Sequence, residues 1–67
     1  MLTIKQIRIG ADLTAEGASE LCGCSVPTYL KWEKKPAKME LGAFNNLLNY
    51  YNEKNPTRKV FYGDVEF

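Results

Sequence analysis

Lysine side chains cluster in one short part of this 67-residue chain, where they could bind phosphate groups. Residues 31–38 carry four lysines against one glutamate, a net charge of +3, whereas the whole chain carries +1. The four are Lys31, Lys34, Lys35 and Lys38. Positive charge focused in this way indicates a phosphate-bearing partner. An ordinary solvated lysine loop explains the charge equally well, so both interpretations stay open on charge alone.

Cys22 and Cys24, separated by one glycine, are the second candidate for chemistry. A structural zinc site takes four ligands, and the chain offers no histidine and no third cysteine to complete one. A disulfide between residues two apart would be strained and would cross-link almost nothing. We therefore expect two free thiols that act as small apolar residues buried at a turn. We expect no metal and no other cofactor.

Catalytic machinery does not stand out elsewhere in the chain. There is no evident pair of carboxylates, no nucleophile with a matching base and no glycine-rich phosphate loop. The chain is therefore not expected to be an enzyme or to bind a small-molecule substrate. Its length predicts a single domain, residues 1–67, of modest stability that a second copy could reinforce. No apolar run approaches the ~20 residues that span a bilayer, so we expect a cytoplasmic protein with no membrane partner.

The residues before the lysines predict two short helices joined by a tight turn, at residues 14–33. Thr14 is a suitable N-cap for the first, and Gly23 ends it because glycine adopts a left-handed conformation at little cost. Ser25 offers the second N-cap, and Pro27 lies in a first turn, where its missing N–H does little harm. Two capped helices around a glycine turn are typical of a helix-turn-helix, whose second helix enters the DNA major groove.

The second helix of this motif runs from Ser25 to about Glu33 and has two distinct faces. Tyr29 and Trp32 are predicted to face the core. The residues expected to point outward are Val26, Pro27, Leu30 and Lys31. Exposed apolar residues followed by a lysine suit a face that meets DNA or another protein.

Two more helices and a tail complete the predicted all-α fold. One helix covers Leu2 to Ala11 with Thr3 as N-cap, and turns Ile4 and Ile7 inward. The other begins at Glu40 and ends at about Asn52. Its predicted apolar stripe comprises Leu41, Phe44, Leu47, Leu48 and Tyr51, with asparagines 45, 46, 49 and 52 on the solvent side. The tail, residues 56–67, is either a short fifth helix or an extended strand that pairs with another chain. Its apolar residues are expected to close the core or a dimer interface: Phe61, Tyr62, Val65 and Phe67.

The motif resembles the Cro/CI-like (XRE class) family of phage and bacterial repressors. Thr14, Gly23 and Ser25 match the family's cap and turn positions, Trp32-Glu33 matches its aromatic–glutamate pair, and Pro36 matches the proline before the next helix. The similarity covers about residues 2–52, with a weaker match at residues 60–62, and is strongest to short Cro-like proteins of Firmicute phages. It implies a compact repressor-like domain of four to five helices that regulates transcription from a DNA operator.

The resemblance also implies roles for individual residues. Arg8 and Glu33 match an ion pair of the family, which we expect to be partly buried and bidentate. Side chains expected to face DNA bases are Ala15, Ser25, Val26, Pro27, Thr28 and Lys31. Phosphate contacts are expected from Thr14, Tyr29, Lys34, Lys35 and Lys38. The family often has glutamine at the position of Ala15 and polar residues at those of Val26 and Pro27. Here these positions can offer only apolar contact, for example with a thymine methyl group.

Two functions follow as alternatives. The first is a sequence-specific DNA-binding regulator that acts as a homodimer by occupying its operator. The second is a protein-interaction module on the same fold, such as an antitoxin or an anti-repressor, that uses Val26, Pro27 and Leu30 as an apolar patch. The near-neutral total charge slightly favours the second, and the lysine cluster favours the first.

Overall fold

Four α-helices make up most of the computed structural model, which describes residues 2–67. Their bounds are Ile4–Gly10 (α1), Ala15–Cys22 (α2), Val26–Lys34 (α3) and Leu41–Lys54 (α4). Single 3₁₀ turns at Pro36–Lys38 and Tyr62–Asp64 follow α3 and α4. The all-α fold predicted from the sequence is confirmed. Among the described residues, no helix is long and apolar enough to cross a membrane.

The predicted helix caps are present. The Thr3 hydroxyl accepts a hydrogen bond from the Gln6 amide at 3.2 Å, while the Gln6 side chain accepts one from the Thr3 amide at 2.9 Å. This reciprocal capping box starts α1 two residues later than predicted. The side chain of Thr14 caps α2 by accepting from the Gly17 amide at 3.1 Å.

The turn between α2 and α3 also follows the prediction. Gly23 ends α2 with a φ of 72°, in the left-handed region that glycine tolerates best. Ser25 caps α3 by accepting from the Thr28 amide at 3.4 Å, with Pro27 in the first turn. Short-range hydrogen bonds and one glycine conformation therefore determine where the two helices of the motif begin and end.

The core lies between all four helices, and α2 contributes the fully buried Ala18 to it. Its largest fully buried side chains are Ile4, Ile7, Tyr29, Phe44 and Leu47. Trp32 and Leu48 are buried at its edge, so the inward faces predicted for α1 and α3 are confirmed. Leu41 is a correction, because it is 58% exposed. It is the first residue of α4, and the buried part of the helix begins two residues later, at Ala43.

The tail forms neither a regular fifth helix nor a long strand. Leu2 and Val65 form one isolated parallel β-bridge, in which the Leu2 amide donates to Asp64 at 3.0 Å and the Glu66 amide donates to Leu2 at 2.8 Å. The 3₁₀ turn at Tyr62–Asp64 precedes it. Each interpretation is thus met only in part: the short helix by the 3₁₀ turn, and the extended strand by one bridge, whose partner is the N-terminal end of the same chain.

Asn52 holds the start of the tail and corrects the prediction that this side chain faces solvent. Its amide nitrogen donates to the Val60 carbonyl at 2.9 Å, and its carbonyl oxygen accepts from the Val60 amide at 2.8 Å. Val60 and Val65 are buried as a result.

The other apolar side chains of the tail are only partly buried or are exposed. Phe61 is 69% exposed, Tyr62 is 55% exposed and Phe67 is 44% exposed. Core closure by Phe61 is therefore wrong, because Val60 is turned inward and side chains alternate along extended backbone. Tyr62 and Phe67 cover the buried ring of Phe44, with ring centroids 5.6 and 5.0 Å from it, while about half of each stays exposed. Val65 fulfils the prediction in full.

Candidate nucleic-acid interface

An ion pair between α1 and α3 sets the position of the helix-turn-helix. Arg8 Nε lies 2.8 Å from Glu33 Oε2, and the two side chains are only 15% and 10% exposed. A second guanidinium nitrogen of Arg8 donates to the Leu13 carbonyl at 3.2 Å, just before the cap of α2. The pair is confirmed, but the bidentate geometry is wrong, because the second nitrogen bonds to the backbone. Arg8 therefore connects α1 to both helices of the motif.

Tyr29 lies beside this pair and corrects one predicted contact. The residue is fully buried, and its hydroxyl oxygen has no hydrogen-bond partner among the described residues. Burial raises the pKa of Tyr29 far above its usual value, and the neighbouring Glu33 carboxylate raises it further. A phosphate contact from this hydroxyl is thus wrong for this conformation, since the ring points into the core.

A basic hollow, here called the lysine pocket, lies on the outer side of α3. It has a volume of about 320 Å³ and is lined by Thr28, Trp32 and the four clustered lysines: Lys31, Lys34, Lys35 and Lys38. All four lysines are exposed. No acidic side chain lines the pocket among the described residues. The structure thereby gathers the charge of residues 31–38 on one side of α3, next to an indole ring.

The side chains predicted to meet DNA bases form the outward face of α3 and the start of α2. Ser25, Pro27 and Lys31 are exposed, while Val26 and Thr28 are half-buried. The Ser25 hydroxyl donates to the Thr28 hydroxyl at 3.0 Å, which partly satisfies both groups. Lys31 is the one charged side chain among the residues predicted to face DNA bases.

Ala15 is the one member of the predicted base-facing set that lies on α2. It is half-buried and packs against the core cluster. Thr14, one residue earlier, is exposed but already uses its hydroxyl oxygen to cap α2. The start of α2 consequently offers backbone amides and a methyl group to a ligand, with little side-chain hydrogen bonding left.

Trp32 is a residue of this surface that sequence reasoning assigned to the core alone. Its ring is 9% exposed, and that edge lines the lysine pocket. The signal was present in the helical spacing, because Trp32 follows Thr28 by four residues and therefore shares its helix face.

The two cysteines of the turn are free thiols with raised pKa values. Both are half-buried, so the prediction of buried residues holds in part. Cys22 Sγ donates to the Ala43 carbonyl at 3.5 Å, and burial raises its pKa to about 11. Burial also raises the pKa of Cys24. Both groups are therefore protonated thiols near neutral pH, poor as nucleophiles and as metal ligands.

The apolar residues required by a protein-interaction module lie on α3, where Pro27 and Leu30 are exposed and Val26 is half-buried. Leu30 is 41% exposed and lines a separate hollow with Thr3, Lys5, Glu33 and Lys34, on the side of α3 that faces α1. Neither Val26 nor Pro27 lines that hollow.

Comparisons of the chain with protein-family models, with curated proteins and with solved structures find no significant match.

Proposed function

We propose that this chain is a transcriptional regulator that binds double-stranded DNA at a specific operator and acts as a dimer by occupying it. One observation carries the proposal: the lysine pocket adjoins the outward face of α3 and shares Thr28 and Lys31 with it. A helix placed in the major groove has phosphates on both sides, so it needs positive charge directly beside its reading face.

In this arrangement α3 enters the major groove and the lysine pocket contacts the flanking strand. Lys34, Lys35 and Lys38 neutralise phosphates, and the first-turn amides of α2 add hydrogen bonds to the same backbone. These contacts fix the orientation of the protein on the duplex without reading its sequence.

Sequence preference comes from a small number of groups. Lys31 reaches a guanine edge, and Val26 and Pro27 contact thymine methyl groups. Because Ala15, Val26 and Pro27 offer no hydrogen-bonding side chains, the shape and deformability of the operator contribute much of the discrimination.

Binding to random-sequence duplex DNA over a series of salt concentrations tests the proposal. Phosphate neutralisation predicts an affinity that falls with salt, with a slope of about 0.9 per phosphate contacted. Selection from a random duplex pool then recovers two half-sites about one helical turn, roughly 34 Å, apart. A protein that shows no salt-dependent binding to any duplex contradicts the proposal and favours a protein-interaction module instead.

A further inference from the structure

The lysine pocket has a shape that contact with a DNA backbone does not require. Its volume of about 320 Å³ falls within the range of roughly 300–1,000 Å³ that is typical of small-molecule sites. The exposed edge of the Trp32 ring lines it, together with Thr28 on the same face of α3. A phosphate of a duplex can reach an exposed ammonium group on a flat surface. The hollow and its aromatic edge therefore need a further explanation.

The ammonium groups around this hollow have no counter-charge in the protein. Lys34 and Lys35 follow Lys31 by three and four residues, so the three occupy neighbouring positions on one side of α3. Lys38 reaches the same pocket from the separate 3₁₀ turn. Among the described residues the one ion pair lies elsewhere, between α1 and the end of α3, and no carboxylate pairs with any of these lysines. Like charges this close repel one another, and one ligand with several negative charges relieves the repulsion.

The interior of the pocket favours a ligand that also has a ring system. A lysine side chain carries its charge at the end of four methylene groups, which supply apolar surface along the walls of a hollow. The Trp32 ring edge and the Thr28 methyl group add to that surface. The pocket therefore combines an apolar interior with several cationic groups. This combination matches the base and the phosphates of a nucleoside polyphosphate.

We propose that the lysine pocket binds a nucleoside polyphosphate as an effector, and that this ligand competes with duplex DNA for the same four lysines. The ligand is bound and not converted, so the site needs no catalytic group. The phosphates contact the ammonium groups, and the base or sugar contacts Trp32 and Thr28. Binding of the ligand stands by itself, whereas its regulatory effect rests on the proposed function, because an occupied pocket holds no DNA phosphate.

The chain carries its own reporter for this site, since Trp32 is its one tryptophan. Titration with adenosine triphosphate, without divalent cations and at constant ionic strength, is expected to change the indole fluorescence saturably, with a Kd below about 1 mM. Calorimetry checks the Kd without an optical signal. Adenosine monophosphate and inorganic triphosphate each lack one part of the ligand, and each is expected to bind at least about tenfold more weakly. Inorganic triphosphate that binds as tightly as adenosine triphosphate would overturn the proposed ligand class.

A pair of lysine variants locates the binding site. Lys38→Ala removes one ammonium group of the pocket and is expected to weaken binding of adenosine triphosphate about tenfold. Lys59→Ala is the matched control, because it removes the same charge from an exposed position that does not line the pocket. It is expected to change the affinity by less than about twofold. If Lys38→Ala proves unfolded by circular dichroism, Lys35→Ala repeats the test from another exposed position. Equal losses at positions 38 and 59 would overturn the assignment of the pocket.

Competition is measured as duplex binding at a fixed ionic strength. With adenosine triphosphate at ten times its Kd, the apparent affinity for random-sequence duplex is expected to fall about tenfold. Sodium sulfate at the same ionic strength is the control for salt screening and is expected to have a smaller effect. Binding of adenosine triphosphate with no loss of duplex affinity would overturn the shared site.

The outcomes for this proposal and for the proposed function are distinct. A chain that binds duplex DNA but not adenosine triphosphate overturns the effector site and leaves the proposed function standing. A chain that binds adenosine triphosphate but no duplex refutes the proposed function and leaves the ligand site standing.

Discussion

The helix-turn-helix at residues 14–34 and the tail at residues 55–67 are stabilised in different ways. In the motif, each cap joins residues three apart: Thr14 to Gly17, and Ser25 to Thr28. In the tail, the hydrogen bonds of Val60 come from Asn52 in α4, and Val65 pairs with Leu2 at the other end of the chain. Local signals thus define the motif, whereas distant contacts define the tail.

This difference explains how much of the molecule could be predicted from the sequence. Cap residues and the left-handed Gly23 act within one turn of chain, so the two motif helices were predicted to within about a residue. The tail depends on a bridge between residues 2 and 65, for which no local pattern exists. Helical spacing correctly predicted that Tyr29 lies in the core. It does not indicate where the hydroxyl group at the end of the ring lies, so the predicted phosphate contact was wrong.

The candidate site shows the same difference between residues that are close in the sequence and contacts that are distant in it. The lysines of the pocket could be singled out because all four lie within residues 31–38, and the structure places them around Trp32. The Arg8–Glu33 pair spans 25 residues and came from the family resemblance. Its single hydrogen bond could not be predicted, because it depends on where the Leu13 carbonyl lies.

The largest effect is expected from the ion pair that joins α1 to the motif. Arg8→Ala leaves the Glu33 carboxylate unpaired at 10% exposure, and should lower the free energy of unfolding by about 2–4 kcal/mol. Chemical denaturation measures the loss. Lys5→Ala, an exposed charge on the same helix, should change it by less than about 0.5 kcal/mol. Equal losses for the two variants would contradict the role of the pair.

The corresponding change in the tail is Asn52→Ala. It removes both hydrogen bonds to the Val60 backbone and should cost about 1–3 kcal/mol. Hydrogen exchange should show faster exchange at the Val60 amide, with the motif helices protected as in the wild type. The matched control is Asn49→Ala, since Asn49 is exposed on the same helix. If Asn52→Ala reduced amide protection equally in the motif helices and in the tail, Asn52 would not be a separate anchor of the tail.

A pair of glycine substitutions tests whether the left-handed conformation of Gly23 determines where α2 ends. Gly23→Ala should cost about 1–2 kcal/mol, because a φ of 72° is strained for alanine even though nothing crowds the added carbon. Gly42→Ala, in a helical turn of α4 with open space around it, should instead stabilise by up to about 1 kcal/mol. Thermal unfolding distinguishes the two signs, and a shared sign would contradict the conformational argument.

The smallest effect is expected at Tyr29. Tyr29→Phe removes a buried hydroxyl that has no partner, so stability should remain within about 1 kcal/mol of the wild type. A loss of several kcal/mol would mean that the hydroxyl has a partner after all.

The same variant changes the response to alkali. The raised pKa values of Tyr29 and Cys22 mean that the folded state keeps protons that the unfolded state releases, near pH 10.0 and pH 9.0 respectively. Their contribution is complete below about pH 9 and is lost as the pH rises. Tyr29→Phe should make that decline shallower, and an unchanged pH profile would contradict the assignment.

The most direct test of DNA binding compares the basic residues at and after the end of α3 with those at and after the end of α4. One triple variant replaces Lys34, Lys35 and Lys38 by alanine, and the other replaces Lys54, Arg58 and Lys59, which are also exposed. Both lose three positive charges. Salt titration of duplex binding should show a slope lower by about three in the first and nearly unchanged in the second. Equal slopes would contradict the assignment of the lysine pocket as the DNA-binding surface.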